Sequence, residues 1–256
     1  MALINSKTLL VLSTTFLLAA CGPGTPVLPD DPNNEPTVEM PSEGNNSQGS
    51  TETPGVVETP EVTTPTTPEV PDEVVDGDEA ILKLYDYLDP NHIVPTAGLK
   101  AAVLYFHKNK TSFKNQNVIS VLDFSQKSTQ KRWYFIDMKT GAVWNVHVSH
   151  GKGSDSNHDG FAEKFSNVSG SNASSLGFYK TAETYQGSNG YSLRLDGLSS
   201  TNSNARSRAI VVHGASYVQD SAVIQGRSWG CPAVSQANRD KVINLIKGGS
   251  LLYAFK

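Results

Sequence analysis

The sequence predicts a mostly β domain with helices at its edges, standing behind a long disordered tether. Two observations carry that prediction. Composition breaks near residue 78: of the 14 prolines, 11 lie between Gly22 and Asp78, a stretch with no aromatic residue and no Lys or Arg. Beyond the break, short apolar runs recur between clusters of Gly, Asn, Ser and Thr, the pattern of strands separated by turns.

Taken in chain order, residues 1–20 read as an export leader. Met1 to Lys7 is a singly basic start, and Thr8 to Ala20 is an apolar run too short for a stable bilayer span. The run ends Leu18-Ala19-Ala20-Cys21-Gly22, small residues before a cysteine, which is the lipobox pattern of bacterial lipoproteins. Cleavage before Cys21 would leave that residue lipidated, and several acyl chains together hold a protein stably on a membrane. The expectation is an exported chain, lipid-anchored and facing the periplasm or cell wall. Gly22 is compatible with the outer membrane. A plain secretory peptide with an incidental cysteine is the alternative, and the joint placing of small residues and cysteine speaks against it.

Residues 21–78 form the predicted tether. Its 13 acidic residues and its many Pro, Thr, Ser and Asn cannot bury enough apolar surface to offset the entropy of ordering. Residues 79–256 carry 20 basic against 12 acidic residues, a balance of +8, so the net −4 of the whole chain describes neither part. A basic domain suits anionic partners such as carboxylate-bearing wall polymers. Nucleic acid fits the charge too, but an exported chain rarely meets it, so none is expected as a partner.

Within the domain, Glu79–Leu88 and Ala97–Asn109 have apolar residues at helical spacing, with Pro90 and Pro95 between them. Val118–Phe124 reads as a strand. Arg132–Met138 and Ala142–Val148 flank Lys139-Thr140-Gly141 as a hairpin, Tyr191–Leu195 alternates, and Arg208–Val212 runs into His213. Gln236–Lys247 reads as a helix with Ser235 as N-cap and Gly248-Gly249 as its stop, and Leu251–Phe255 as a closing strand.

The chain has two cysteines. With Cys21 taken by lipid, the mature protein has no intramolecular disulfide in a compartment where disulfides form, and Cys231 is its lone thiol. Two segments then stand out: Val212-His213-Gly214-Ala215 and Ser228-Trp229-Gly230-Cys231-Pro232. A thiol becomes a strong nucleophile when an imidazole takes or shares its proton. Gly214 lets chain or substrate come close to His213. Gly230 lets the backbone turn sharply, so that Cys231 projects while nearby N–H groups face an oxyanion. Alone, His213 reads as a satisfied core histidine and Cys231 as a small buried hydrophobe. As a pair around one Ser-x-Gly-Cys turn they read as catalytic.

At these residues the chain resembles the murein L,D-transpeptidase catalytic-domain family, whose signature is a His followed at this spacing by Ser/Thr-His-Gly-Cys. Trp229 stands where many members have His. The resemblance is to a divergent branch, on His150-Gly151-Lys152-Gly153-Ser154, Phe165-Ser166-Asn167, Ser174–Tyr179, Ser192–Leu195, Val212–Ala215 and Ser228–Ala233. It implies an L,D-transpeptidase-like β-sandwich or mixed-sheet domain with peripheral helices. It also implies that Cys231 attacks the carbonyl at the L-centre of diaminopimelate in a tetrapeptide stem, expelling D-alanine. His213 would be base and then acid, and Ser228, through its carbonyl, would fix the imidazole. The Gly230 and Cys231 N–H groups would bind the oxyanion, with Trp229 beside them, and Tyr179 is a candidate for holding substrate. Arg208 and Arg227 lie near the catalytic segments and read equally as groups that bind stem carboxylates or polarise the thiol and as ordinary surface charges. An amine acceptor gives a 3→3 cross-link or a related product, and water gives an L,D-carboxypeptidase. Peptidoglycan stem peptides are the implied partners, and no cofactor is implied.

Asp155-Ser156-Asn157-His158-Asp159-Gly160 matches the first half of a calcium loop, but Ser166 fills the twelfth position where a bidentate Glu belongs. A solvated Asn/Asp turn is therefore the first reading and calcium the second. His147, His150 and His158 lack the spacing of a zinc site. A sortase would need Thr-Leu-x-Thr-Cys and a downstream Arg, and papain-like wall hydrolases place Cys before His. A non-enzymatic wall-binding lipoprotein, with Cys231 merely structural, is the rival class.

Overall fold

A computed structural model of the chain describes residues 77–256. The leader, Cys21 and the expected tether up to residue 76 lie outside the described residues, and Asp78, expected as the last residue of the tether, is the first residue of the first helix. Two helices, α1 (Asp78–Lys83) and α2 (Thr96–Lys108), precede strands β1 (Val118–Asp123), β2 (Trp133–Asp137), β3 (Val143–Val146) and β4 (Gly177–Gly187). Then come β5 (Gly190–Gly197), β6 (Val211–Ala215), β7 (Ala233–Ser235), helix α3 (Gln236–Ile246) and β8 (Leu251–Phe255). All eight strands join one mixed sheet in the order β3-β2-β1-β8-β4-β5-β6-β7. The pairs β1/β8 and β6/β7 are parallel and the others antiparallel. The fold is therefore the mixed-sheet form with peripheral helices.

The sheet nearly closes on itself. Beyond β3, the Ser149 N–H donates to the Ala233 carbonyl at 2.9 Å, the Ser228 N–H to the His150 carbonyl at 3.0 Å, and the Lys152 N–H to the Ser228 carbonyl at 2.7 Å. The run 149–152 thus lies along the run that leads into β7, and the two sheet edges meet at the Ser228–Cys231 segment. Pairing these edges satisfies backbone groups that would otherwise be left open.

Every residue of β1 is buried, Ser120 and Asp123 included, because both faces of the strand are covered. Val118 and Leu122 join a core with Phe124, Trp133, Phe135 and residues Val242, Ile243 and Ile246 of α3. Ile119 and Val121 join a second core with Ala102, Val103 and Phe106 of α2. Each fully buried aliphatic side chain of this kind contributes about 1.5–3 kcal/mol, so the two helices are fixed to opposite faces. Gly98 lets α2 seat closely, since a Cβ there would lie 2.9 Å from the Val121 side chain.

The hairpin forms as its residues dictate. The Asp137 carboxylate accepts the N–H groups of Lys139 and Thr140 at 2.9 and 2.8 Å, and Gly141 takes a φ of +74°.

Four expectations change. Helix α1 ends at Lys83 rather than Leu88, because turns carry the chain from Leu84 to Asp89, whose φ is +54°. Ser235 stands before α3 but makes no side-chain cap, and its buried hydroxyl has no hydrogen-bond partner. The strand expected from Arg208 begins only at Val211, because Ala209 adopts a φ of +52° and turns the chain out of the ladder. Strand β4, the longest, and β7 carry no sequence signal of the expected kind. On β4 only Tyr179 and Thr181 are fully buried, and Thr181 earns its place by donating to the Ile246 carbonyl at 2.6 Å.

Candidate active site

The Ser228–Cys231 turn is built by one hydroxyl. Ser228 Oγ donates to the Cys231 carbonyl at 2.6 Å and accepts the Gly230 N–H at 3.1 Å. Gly230 holds a φ of +122°, and a Cβ there would sit 2.8 Å from the Ala173 carbonyl oxygen, so only glycine fits without strain. Ser174 braces the turn from outside, its Oγ donating to the Gly230 carbonyl at 3.1 Å while accepting the Gly151 N–H at 3.0 Å. The Gly230 N–H thus donates to Ser228 Oγ, and the Ser228 carbonyl accepts the Lys152 N–H at 2.7 Å, so that Ser228 shapes the turn with both its hydroxyl and its carbonyl.

Cys231 is the one free cysteine among the described residues, and it is 3% exposed. Its Sγ accepts the Val211 N–H at 3.5 Å and faces the Ala209 carbonyl at 3.6 Å. Burial pushes the thiol up to about 11, against the opposing pull of the Val211 N–H and the Arg208 cation. At neutral pH it is a protonated thiol and needs a base to become a nucleophile.

His213 is buried in the middle of β6, one register step from the Val211 that touches the thiol, and pairs with Ala233 on β7. Its Nδ1 lies 3.0 Å from the Gly214 carbonyl oxygen. A carbonyl only accepts, so Nδ1 carries a proton, which leaves the lone pair of a neutral ring on Nε2, the tautomer a general base needs. Gly214 makes room for α3 rather than for substrate: a Cβ there would lie 2.6 Å from Gln236 Oε1 and 2.9 Å from Arg239 Cδ.

Arg208 and Tyr179 join the thiol. Arg208 is 9% exposed, which removes the ordinary surface-charge reading. The Tyr179 hydroxyl meets Ser175 at its carbonyl and hydroxyl, 2.8 and 2.7 Å away, and burial pushes it up to about 12. Both act electrostatically on Cys231. Arg227 does not join them: it donates to the Asp155 carbonyl and ties down that loop. Trp229 is half-buried on the turn.

Sequence reasoning missed a buried network behind the turn. Arg132 is fully buried, and its Nη2 donates to His150 Nδ1 at 2.7 Å. His150 Nε2 in turn donates to Asp155 Oδ2 at 3.0 Å. Burial and the Arg132 cation hold His150 down at about 4, so it is neutral and can serve both neighbours. Burial likewise lowers Arg132 to about 9. The His150-Gly151 motif was visible in the sequence, but nothing local marked Arg132 as its partner.

The same network engages the acidic residues of the Asp155–Gly160 segment. Asp155 is fully buried, and its oxygens accept the N–H groups of Asp159 and Gly160 besides His150. Asn157 donates to Asp159, whose other oxygen accepts the Phe161 N–H. These carboxylates are spent on an internal turn. Among the described residues, no three His, Cys, Asp or Glu side chains converge as a metal site requires.

Comparison with known proteins adds the family. Residues 91–255, well over half the chain, match the model of the L,D-transpeptidase catalytic domain. No curated protein sequence matches. Among solved structures, an L,D-transpeptidase from Mycobacterium smegmatis is 14% identical over 55% of this chain and 59% of its own, with a TM-score of 0.35. One from Xylanimonas cellulosilytica is 15% identical over 54% and 60%, with a TM-score of 0.33. One from Stackebrandtia nassauensis is 11% identical over 69% and 76%, with a TM-score of 0.33. The chain thus spans about three fifths of the length of the first two.

The buried thiol makes a pH prediction. Because the protonated form is favoured up to about 11, iodoacetamide labelling of Cys231 should be slow at pH 7. It should then climb about tenfold per pH unit without a plateau below pH 10. A plateau already reached near pH 7 would show a preformed thiolate and contradict this account.

Proposed function

We propose that this chain, which belongs to the L,D-transpeptidase catalytic-domain family, is a peptidoglycan L,D-transpeptidase working through a cysteine thioester. The single observation that carries the reading is Cys231 itself, the one free thiol of the described domain, seated on a glycine turn with its sulfur bonded to the Val211 N–H of the strand that carries His213.

His213 Nε2 takes the Sγ proton as the sulfur attacks the acyl carbonyl at the L-centre of diaminopimelate. The S–C bond forms, the C–N bond to D-alanine breaks, and the imidazolium returns its proton to the departing amine. An amine of a second stem, typically a diaminopimelate side chain, then attacks the thioester carbonyl. His213 accepts its proton and returns it to sulfur as the C–S bond breaks. With the Gly230 N–H engaged by Ser228, the Cys231 N–H is the donor assigned to the oxyanion, and the neighbouring Arg208 charge favours the developing anion.

Incubated with muropeptides carrying tetrapeptide stems, the purified chain should yield 3→3 cross-linked dimers, or tripeptide stems where water is the acceptor. Cys231→Ala should abolish both, and His213→Gln should slow turnover by about a thousandfold. An unchanged muropeptide profile with the wild-type chain would remove the transpeptidase reading.

The leader and tether complete the proposal. Cys21 is the lipid attachment site, and residues 21–78 let the domain reach the wall from a membrane facing the periplasm or cell wall. Metabolic palmitate label should appear on the chain and vanish in Cys21→Ser. Label that persists in that variant would place the lipid elsewhere.

A further inference from the structure

We propose that Arg208 is the latch of a lid over the nucleophile, residues 166–175, and that a substrate carboxylate opens the lid by replacing its carbonyls on the guanidinium. The inference rests on the reading above that the donor is a peptide stem.

The lid lies directly on the catalytic turn. Ser174 holds the Gly230 carbonyl, and the Ala173 carbonyl occupies the space a Cβ on Gly230 would need. At its base the Ser166 N–H donates to the Ser174 carbonyl at 3.0 Å. At its tip Val168 is 67% exposed and Gly170 has a φ of +75°. Ala173 is the one fully buried apolar side chain between residues 166 and 175, so apolar burial contributes little to holding the segment closed. Elements with few buried apolar contacts open at the lowest free energy.

Polar bonds do the holding instead. Asn167 clamps the outer end: its side chain donates to the Ser200 carbonyl and the Ser203 hydroxyl at 3.1 and 2.9 Å, and Asn204 donates back to it. The inner end is held by the Ser174 N–H on Ser154 Oγ at 2.9 Å, by the Asn172 carbonyl, which accepts the Gly153 N–H at 2.7 Å, and by Arg208. Nη1 donates to the Ser166 carbonyl at 2.6 Å and to Ser175 Oγ at 3.4 Å. Nη2 donates to the Ala173 carbonyl at 2.7 Å and to Ser171 Oγ at 3.3 Å.

Every one of those acceptors is neutral. A guanidinium 9% exposed has given up much of its hydration, and none of the acceptors carries a compensating charge. A carboxylate offers the same two-pronged geometry with an opposite charge, and such bonds are roughly twice as strong as neutral ones. An incoming carboxylate therefore displaces the Ser166 and Ala173 carbonyls, and the lid loses the two inner tethers that a charged ligand can replace. The site matches its ligand in position too. Arg208 Nη2 lies 3.3 Å from the Cβ position of Gly230, and its charge acts on the Cys231 sulfur. The ligand class is a peptide with a free carboxylate beside the bond to be cleaved. The same event that seats the peptide would uncover the thiol, so the nucleophile stays sheltered until a substrate carries the key.

Hydrogen exchange of the purified chain reads the lid directly. Saturating N-acetyl-D-alanine should speed exchange of the 167–175 amides by about tenfold, and N-acetyl-D-alaninamide, which has no carboxylate, should not. In Arg208→Gln the same amides should exchange fast without ligand and ignore both compounds. Should that variant fail to melt cooperatively, Arg208→Lys, which keeps the charge and loses the fork, should give intermediate exchange and a weaker response. Unchanged or slowed exchange with the carboxylate, or wild-type protection in either variant, overturns the proposal. No turnover is needed, so lid opening without any change in muropeptides would retain the latch and remove the transpeptidase reading, whereas turnover without lid opening would do the reverse.

Discussion

The Ser228 hydroxyl, bonded at once to the Cys231 carbonyl and the Gly230 N–H, closes the short turn on which the rest of the site depends. A turn this tight requires the left-handed backbone of Gly230, and the Ala173 carbonyl packed against it leaves no room for a side chain. The turn also lies where the two edges of the sheet meet, because the run 149–152 pairs with it through Ser228. Closing the sheet and placing the thiol are thus one structural event. Any change that loosens the seam also moves the sulfur.

The buried polar network explains why the seam holds. Arg132, His150 and Asp155 form a chain of bonds in which the histidine must be neutral, accepting from the arginine and donating to the carboxylate. His150 in turn presents its carbonyl to the Ser228 N–H. Such a network is costly when half satisfied and rigid when complete. Its protonation has a sign: with His150 lowered from its ordinary 6.5 to about 4, the unfolded chain binds the extra proton first. The stability it contributes is fully present above pH 6.5 and drains away as pH falls toward 4.

How much of this was legible in the sequence follows from what each feature depends on. Strands β1 and β8, the β2–β3 hairpin and helix α2 announced themselves because burial imposes a period on apolar residues and Asp137 and Gly141 carry the turn. Strand β4 did not, since only Tyr179 and Thr181 along it are fully buried and its inner partner β8 is distant in sequence. At the site, Cys231 and His213 were readable because their residue types carry chemistry. The roles of their neighbours were not. Gly214 serves α3, and Arg208 reads equally as surface charge or site residue until it is buried under residues 166–175; both outcomes are set by segments far apart in the chain. Ser228 and Asp155 are set instead by bonds within their own loops, whose geometry no apolar period announces.

A protonated, buried thiol bonded to the strand that carries His213 suits a nucleophile that is activated only when an acyl donor arrives. The central claim is that Cys231 is that nucleophile. Intact-mass measurement of the purified chain after exposure to a carbapenem, an acyl donor that becomes covalently attached to an attacking thiol, tests it most directly. The account predicts one stoichiometric adduct located at Cys231 and absent from Cys231→Ala. No adduct on the folded wild-type chain, or an adduct that survives the substitution, would contradict it.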